Sequence, residues 1–464
     1  MLFFVAMMGL RKSLYSFLIV DLSKCSVNKF GLINIVDILI RMHIKSLLNI
    51  ALLLSIYGCS LVPQARLDPP LQCLAPEQTR SNIKHVVLVV QENHSFDSYF
   101  ANYCKAQVGS NPSCTTGPNC CEAGPAQLDG HSPVVLDDAQ NISFDPNHFH
   151  YCELDEINGG LMDRYISSSV PYCGNANNFA YADAATMSTY WDYARNYALA
   201  DRYFQPSAGA SSQNDMYFAT TQIVFLDNNY APNSVGSACF APGRKATFTG
   251  TTLGDILGSC GVSWAFYAEG YQYALDNPFV CTAYPEGYDP SDNPFQYYSQ
   301  FRDNLTYQKD YQQFSADIAA GTLPSLSFIK ALGSRSEHPE STISEGVQFV
   351  SGVVDTILNS PTYQNNTLVL VVPDESGGYY DHVSPPPTST VDNQPYGARV
   401  PLWAIGYFAK TNIVSHVVME HSSIVRFIEW NFLGGPPGQL GARDGTVNGI
   451  GSLIDPVKAG IVVP

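Results

Sequence analysis

Two short apolar runs constrain this chain of 464 residues more than any other feature. Residues 83–91 contain Ile83, Val86, Val87, Leu88, Val89 and Val90, and residues 367–372 contain Leu368, Val369, Leu370, Val371 and Val372. Runs of this length, rich in β-branched residues, read as strands buried in a sheet. Each run ends in polar side chains: Glu92, Asn93, His94 and Ser95 after the first, and Asp374 and Glu375 after the second. In open α/β sheets, ligand sites gather beyond the carboxyl ends of the strands. The two runs are therefore expected as central parallel strands whose polar ends form one site. The second segment continues through Ser376, Gly377, Gly378, Tyr379 and Tyr380 to Asp381 and His382. Carboxylates this crowded repel one another unless a cation or a proton neutralises them.

The remaining pattern alternates between strands and helices. Residues 322–329 and 402–407 read as further strands, and residues 347–358 and 422–432 as helices. Met187, Tyr190, Trp191 and Ala194 fall at helical spacing within residues 185–203. Ser95 is placed to cap a short helix. Small residues before Ser211 and Ser212 suggest a helix N-terminus, where backbone N–H groups can hold an anion; a plain capping serine is the simpler local reading. Residues 101–145 read as loop, and residues 225–320, rich in aromatic residues, Pro and Asn, as an irregular insertion covering the site. The alternation predicts a layered α/β fold.

The formal net charge of −17 argues against a broad nucleic-acid footprint and against general attraction to anionic membranes. It leaves room for a phosphate pocket, because a bound metal can invert the local field. Residues 1–65 read differently from the rest. A basic segment from Arg41 to Lys45, an apolar run over 47–54 and small residues around Gly58 resemble a secretory signal. That places a natural start near Met42, with residues 1–41 as an upstream extension and residues 66–464 as a single domain containing the insertion at about 225–320. Cys59 loosely resembles a lipoprotein attachment site. Ten cysteines follow the leader, from Cys73 to Cys281, and disulfides are the expected use for them outside the cytoplasm.

Taken together, the segments resemble the bacterial-type phosphoesterase family, which includes phosphatidylcholine-type phospholipases C and secreted acid phosphatases. The run from Glu92 to Phe100 is similar to the family's opening motif, with His94 in place of arginine. Asp145 to His148, Asn158 to Asp163, the element Glu337-His338-Pro339, the run from Asp374 to Pro386, Gly397 to Pro401 and His421 to Ile424 follow in family order. Leu161 and Arg164 depart from the family's usual lysine and glycine.

The resemblance implies a three-layer α/β/α sandwich with a mostly parallel central sheet, like that of alkaline phosphatases. It implies a divalent metal held by Glu92, Asn93, Asp374 and Glu375. Zinc is the expected ion, with manganese or calcium as alternatives. It places the nucleophile at Ser211, with Ser212 as a rival, because Gln213 and Asp215 depart from the family's proline and arginine. His148 and His338 match positions at the phosphoryl group or the leaving oxygen, and Asp381 and His382 would complete the phosphate side.

The function implied is a secreted, metal-dependent phospholipase C that releases diacylglycerol through a phosphoryl-serine intermediate. Its partners would be phospholipid and, transiently, a membrane surface, with no nucleic acid and no obligate protein partner. An acid phosphatase for soluble monoesters and an inactive phosphatase-like binding protein are the alternatives. The sequons at Asn141 and Asn304 would matter only in a eukaryotic secretory pathway.

Overall fold

The computed structural model describes residues 71–464, apart from 241–243, 281, 283 and 284. The leader, the start near Met42 and the site at Cys59 therefore lie outside the described residues.

Strands and helices alternate along the chain in the order β1 (His85–Gln91), α1 (Phe96–Phe100), α2 (His150–Ile157), α3 (Ala184–Asn196), β2 (Ala198–Ala200) and α4 (Ser211–Thr220). Then come β3 (Trp264–Ala268), β4 (Gln308–Asp310), α5 (Tyr311–Ala320), β5 (Leu326–Lys330), α6 (Ile343–Leu358), β6 (Thr367–Pro373), β7 (Leu402–Ile405), β8 (Ile413–Ser415) and α7 (His421–Phe432), with shorter elements between. Among the described residues the main sheet has eight strands, ordered β8-β2-β7-β6-β1-β5-β3-β4. Every pairing is parallel except those made by β7, which runs against both β6 and β2.

The period-two geometry of a strand explains why β1 and β6 are apolar throughout. Val86, Leu88 and Val90 enter a core shared with Met216 and Phe218 of α4 and Ile424 and Ile428 of α7. Val87 and Val89 point the other way, toward Phe96 of α1, Trp191 of α3, Phe314 of α5 and Val350 of α6. Helices therefore cover both faces, giving a three-layer α/β/α sandwich. Local signals fix the helix starts: Ser95 caps α1 through the Ser98 N–H, and Thr342 caps α6 through the Glu345 N–H.

Two readings from sequence differ from the structure. The helix over 185–203 stops at Asn196, and Ala198–Ala200 becomes β2, because a three-residue run takes its state from the neighbours it pairs with, here β7 and β8. Residues 225–320 are not wholly irregular either: Trp264–Ala268 and Gln308–Asp310 extend the main sheet beyond β5. Aromatic Trp264, Phe266 and Tyr267 are buried there as strand residues, where sequence alone suggested aromatic loop packing.

Disulfides join Cys73 to Cys260, Cys104 to Cys121, Cys114 to Cys120 and Cys152 to Cys173. Two of them staple the loop-rich stretch after α1, which has little core of its own. Leu370 is fully buried at the centre of β6, and Leu370→Ala is expected to lower unfolding stability by about 2–5 kcal/mol, measured by denaturant titration.

Candidate active site

The register of β1 and β6 creates the site. Gln91 lies opposite Pro373, so Glu92 and Asp374 leave the sheet side by side. The Asp374 N–H donates to the Gln91 carbonyl at 2.9 Å, and the Asn93 N–H donates to Asp374 Oδ1 at 3.2 Å. Asn93 has φ 61, a left-handed conformation that asparagine tolerates better than most residues. The turn after Glu375 crosses directly above it. At Gly377 (φ 63) a Cβ would lie 2.2 Å from the Asn93 carbonyl oxygen, so only glycine fits that crossing. His421 fastens the same corner from α7. It is fully buried, stacks on Phe218 with ring centroids 4.2 Å apart, and burial pushes its imidazole down to about 3. The neutral ring donates from Nε2 to the Asp374 carbonyl at 2.6 Å and accepts at Nδ1 from the Tyr203 hydroxyl at 2.9 Å.

Glu92, Asn93, Asp374 and Glu375 converge at this edge, each less than a tenth exposed. Asn93 Oδ1, Asp374 Oδ2 and Glu375 Oε1 are buried and have no hydrogen-bond partner among the described residues. Burial raises both the Asp374 and Glu375 carboxyls above their ordinary range, and for Glu375 the Asp374 charge adds to it. An unpaired, oxygen-only donor set of this kind fits a hard divalent cation. Glu92 is engaged differently. Its Oε1 lies 2.9 Å from the Lys330 ammonium at the end of β5. Against the raising effect of burial, Lys330 and His338 hold Glu92 below its ordinary value.

Lys330 was not legible as a site residue. It is buried, and Glu92, Asp292, Asp215 and Asp374 together raise it well above the usual lysine value despite its burial. Asp215, from α4, and Asp292, from the 225–320 segment, are themselves raised by burial. Glu153 of α2 was missed as well. It is raised to about 8 by burial, accepts the Gly209 N–H at 2.6 Å and Gln205 Nε2 at 2.7 Å, and receives the Ser376 hydroxyl at 3.0 Å. It thereby ties the loop before α4 to the turn after β6.

Ser211 is the first residue of α4, and its hydroxyl acts on the Asp374 carboxyl, opposing the rise that burial causes. Ser212 is engaged elsewhere: its side chain acts on the Tyr297 phenol and its N–H donates to Asn228 Oδ1 at 2.9 Å. His148 Nε2 lies 3.4 Å from Asn93 Nδ2 and 3.8 Å from Glu375 Oε1. The His148 and His338 rings are 6.4 Å apart, edge to face. Glu337, beside His338, is anchored by Tyr99 and Tyr190 hydroxyls and by Gln91 Nε2, and burial raises it to about 7. His94 stacks between Tyr99 and Tyr379 at 4.4 and 5.0 Å, and burial lowers it to about 3. Asn141 is fully buried and donates to the Glu337 and Ser341 carbonyls, so its sequon is not open to a glycan in the fold.

Asp381 and His382 have a different set of partners. The buried Arg399 donates from Nε to Asp381 at 2.8 Å and from a terminal nitrogen to Asp97 at 3.0 Å. His382 pairs through Nδ1 with Asp97 at 2.7 Å and through Nε2 with Glu122 at 3.2 Å. Asp97, Asp381 and His382 bring ligand atoms within 4.8 Å of one another, but Arg399 already supplies that cluster with a cation. Burial alone would lower His382; Asp97 and Glu122 raise it instead, to about 9.

The chain belongs to the Phosphoesterase family, whose model matches residues 83–433. It is a phosphoric ester hydrolase by that membership. Over 430 residues it is 26% identical to phospholipase C B of Mycobacterium tuberculosis, covering 81% of this chain and 78% of that protein. It is 24% identical to the non-hemolytic phospholipase C of Pseudomonas aeruginosa over 76% of this chain and 54% of that one. A non-specific phospholipase C6 of Arabidopsis thaliana is 25% identical over 67% of this chain and 56% of that protein. Among solved structures, a protein in the alkaline phosphatase superfamily from Vibrio parahaemolyticus is similar over 81% of this chain and 73% of that chain, with a TM-score of 0.34 and 9% identity.

Two measurements follow from the electrostatics. Lys330→Met leaves Glu92 buried without its cation and is expected to cost about 3–5 kcal/mol in denaturant titrations; adding Glu92→Gln should restore most of it. His382 has a folded-state value raised above its unfolded one, so its contribution is full below about pH 6.5 and fades as pH rises through about 9. The stability of the wild type should therefore fall across that window by more than that of His382→Gln.

Proposed function

We propose that this protein is a secreted, metal-dependent phospholipase C acting on the glycerol-side phosphodiester bond of phospholipids. The observation that carries the reading is the set of unpaired buried oxygens on Asn93, Asp374 and Glu375, with Ser211 at the start of α4 acting on the Asp374 carboxyl. The similarity to phospholipases C from bacteria and a plant supports the substrate class.

In this reading Asn93, Asp374 and Glu375, with Glu92 beside them, hold one divalent ion. Zinc fits, and manganese or calcium would also accept these oxygens. The ion supplies Lewis acidity, favouring the serine alkoxide and neutralising charge on a phosphoryl oxygen. Ser211 Oγ attacks phosphorus in line, and its proton passes to the carboxylate cluster. The bond from phosphorus to the glycerol oxygen breaks as His148 or His338 gives that oxygen a proton. The N-terminal end of α4, which has no side-chain cap, turns its positive end toward the phosphoryl oxygens. Water then attacks the phosphoryl-serine, releasing the phosphorylated head group and restoring Ser211. Asp381 and His382 act from behind, holding Asp97 and Arg399 so that the two strand-end motifs keep their positions. The four disulfides among the described residues fit an oxidising compartment, in keeping with secretion.

Ser211→Ala should lose activity on phosphatidylcholine by on the order of 10⁴-fold while binding as much metal, by elemental analysis, as the wild type. Ser212→Ala should retain most of it. Near-normal turnover by the Ser211 variant would reject the nucleophile, and activity confined to p-nitrophenyl phosphate would favour the phosphomonoesterase alternative.

A further inference from the structure

Helix α2 is inside out. Its buried face carries Glu153 and Glu156 together with Cys152 and Ile157, while Tyr151 and Leu154 face solvent. The two carboxyls are held inside by specific bonds. Glu153 takes those from Gly209, Gln205 and Ser376 described above, and Glu156 accepts Asn178 Nδ2 at 2.8 Å. A helix that stabilised only the fold would bury its apolar side chains and leave its carboxylates in water. The apolar exposure continues on both flanks. Phe149 precedes the helix, stacked on Tyr151 with ring centroids 6.4 Å apart. Leu161 follows it, 69% exposed. The Cys152–Cys173 disulfide, with Cα atoms 5.1 Å apart, draws Tyr172 alongside. Tyr172 is 90% exposed and sits at φ 69, a conformation a bulky residue adopts only under strain.

The patch borders the candidate site through His148, which is next to Phe149 and lies 3.8 Å from Glu375. A cleft of about 350 Å³ lined by Asp145, Asn147 and Tyr172 lies on the same stretch of chain. We propose that Phe149, Tyr151, Leu154, Leu161 and Tyr172 form a docking surface for a zwitterionic phospholipid layer, seating the mouth of the site at the headgroup level. Aromatic and aliphatic side chains of this kind partition into the boundary between headgroups and acyl chains. Charge selects among surfaces. Asp145, Asp155 and Asp163 lie on the same stretch of chain, where Arg164 is paired with Asp155 at 2.9 Å. Such a stretch disfavours anionic lipid and tolerates headgroups that carry an outer ammonium. The proposal rests on the phospholipase C reading for its purpose, and on exposure, burial and charge for its location.

The test uses the full chain carrying Phe149→Ser, Leu161→Ser and Tyr172→Ser together, with Leu161→Ser alone as a milder variant. Binding is read by co-sedimentation with phosphatidylcholine vesicles and with vesicles containing phosphatidylserine. Chemistry is read separately on soluble p-nitrophenylphosphorylcholine, and association state by analytical ultracentrifugation. The wild type should bind phosphatidylcholine vesicles more tightly than phosphatidylserine vesicles. The triple variant should lose about tenfold or more in vesicle binding, Leu161→Ser less, and both should turn over the soluble diester as the wild type does. Unchanged vesicle binding by the triple variant would overturn the surface, as would a wild-type dimer that the variant dissociates without losing vesicle binding. If no variant or wild type cleaves the soluble diester while vesicle binding still depends on the patch, the docking surface stands and the phospholipase C reading falls.

Discussion

The ion pair between Lys330 and Glu92 is the interaction on which the rest of the site depends. At the carboxyl ends of β1, β5 and β6 the fold gathers Glu92, Asp374 and Glu375, and neighbouring segments add Asp215, Asp289 and Asp292. Removed from water, such carboxylates either take up protons or find cations. One ammonium cannot serve all of them. Lys330 holds Glu92 charged, whereas burial raises Asp215, Asp292, Asp374 and Glu375. The cluster is thus polarised into a side neutralised by the protein's own cation and a side whose oxygens are unpaired. Only the second side has donors free for a divalent ion, and Ser211 lies on that side. The chain places Asp215 where its family's motif carries arginine. The positive charge of the site comes instead from Lys330 on the adjacent strand.

A cluster under this much mutual repulsion needs a stiff frame. The frame is the parallel register of β1 with β6, tightened where the chain crosses itself. Gly377 lets the turn after β6 lie directly on the Asn93 carbonyl. His421 holds the Asp374 carbonyl from the opposite layer. Arg399 and His382 bind Asp97 from behind, so the turn after β1 and the turn after β6 share one ion network. Each contact joins segments far apart in sequence. Together they give Asp97, Arg399 and His421 a positioning part: they set the geometry that Asn93 and Asp374 present.

The framework was legible in the sequence because buried strands announce themselves. Residues of β1 and β6 are apolar on both faces, a pattern that a short exposed segment does not produce, and their polar ends marked the site. The three-residue strands β2 and β8 carry no such signal, since their state is decided by the strands they pair with. Lys330 and Glu153 were invisible for a different reason. Lysine and glutamate are ordinarily exposed, and nothing in their local sequence signals burial; only the convergence of β5 on β1, or of α2 on the loop before α4, does so. Asp381 and His382 mark a third limit. The resemblance puts them on the phosphate side, but the partners the fold gives them, Asp97, Glu122 and Arg399, come from distant segments and leave no mark in the local run. Ser211 and Ser212 could not be separated as letters, yet one step along a helix rotates the side chain by about 100°, so that Ser211 acts on the Asp374 carboxyl and Ser212 on the Tyr297 phenol.

The segment 225–320 is part of this logic, not a cover laid over it. It adds β3 and β4 to the main sheet, so its backbone is continuous with the layer that carries Lys330. It also contributes Asp292, which acts on the Glu92 carboxyl, and Asp289, whose charge acts on that of Asp215. A detachable covering would be bound by surface complementarity alone. This one is bound through the central sheet, and it meets the site through carboxyls that burial raises. Changes in that segment should therefore be felt first as changes in the charge balance around Lys330, because the segment meets the active site through carboxyl groups before it meets it through shape.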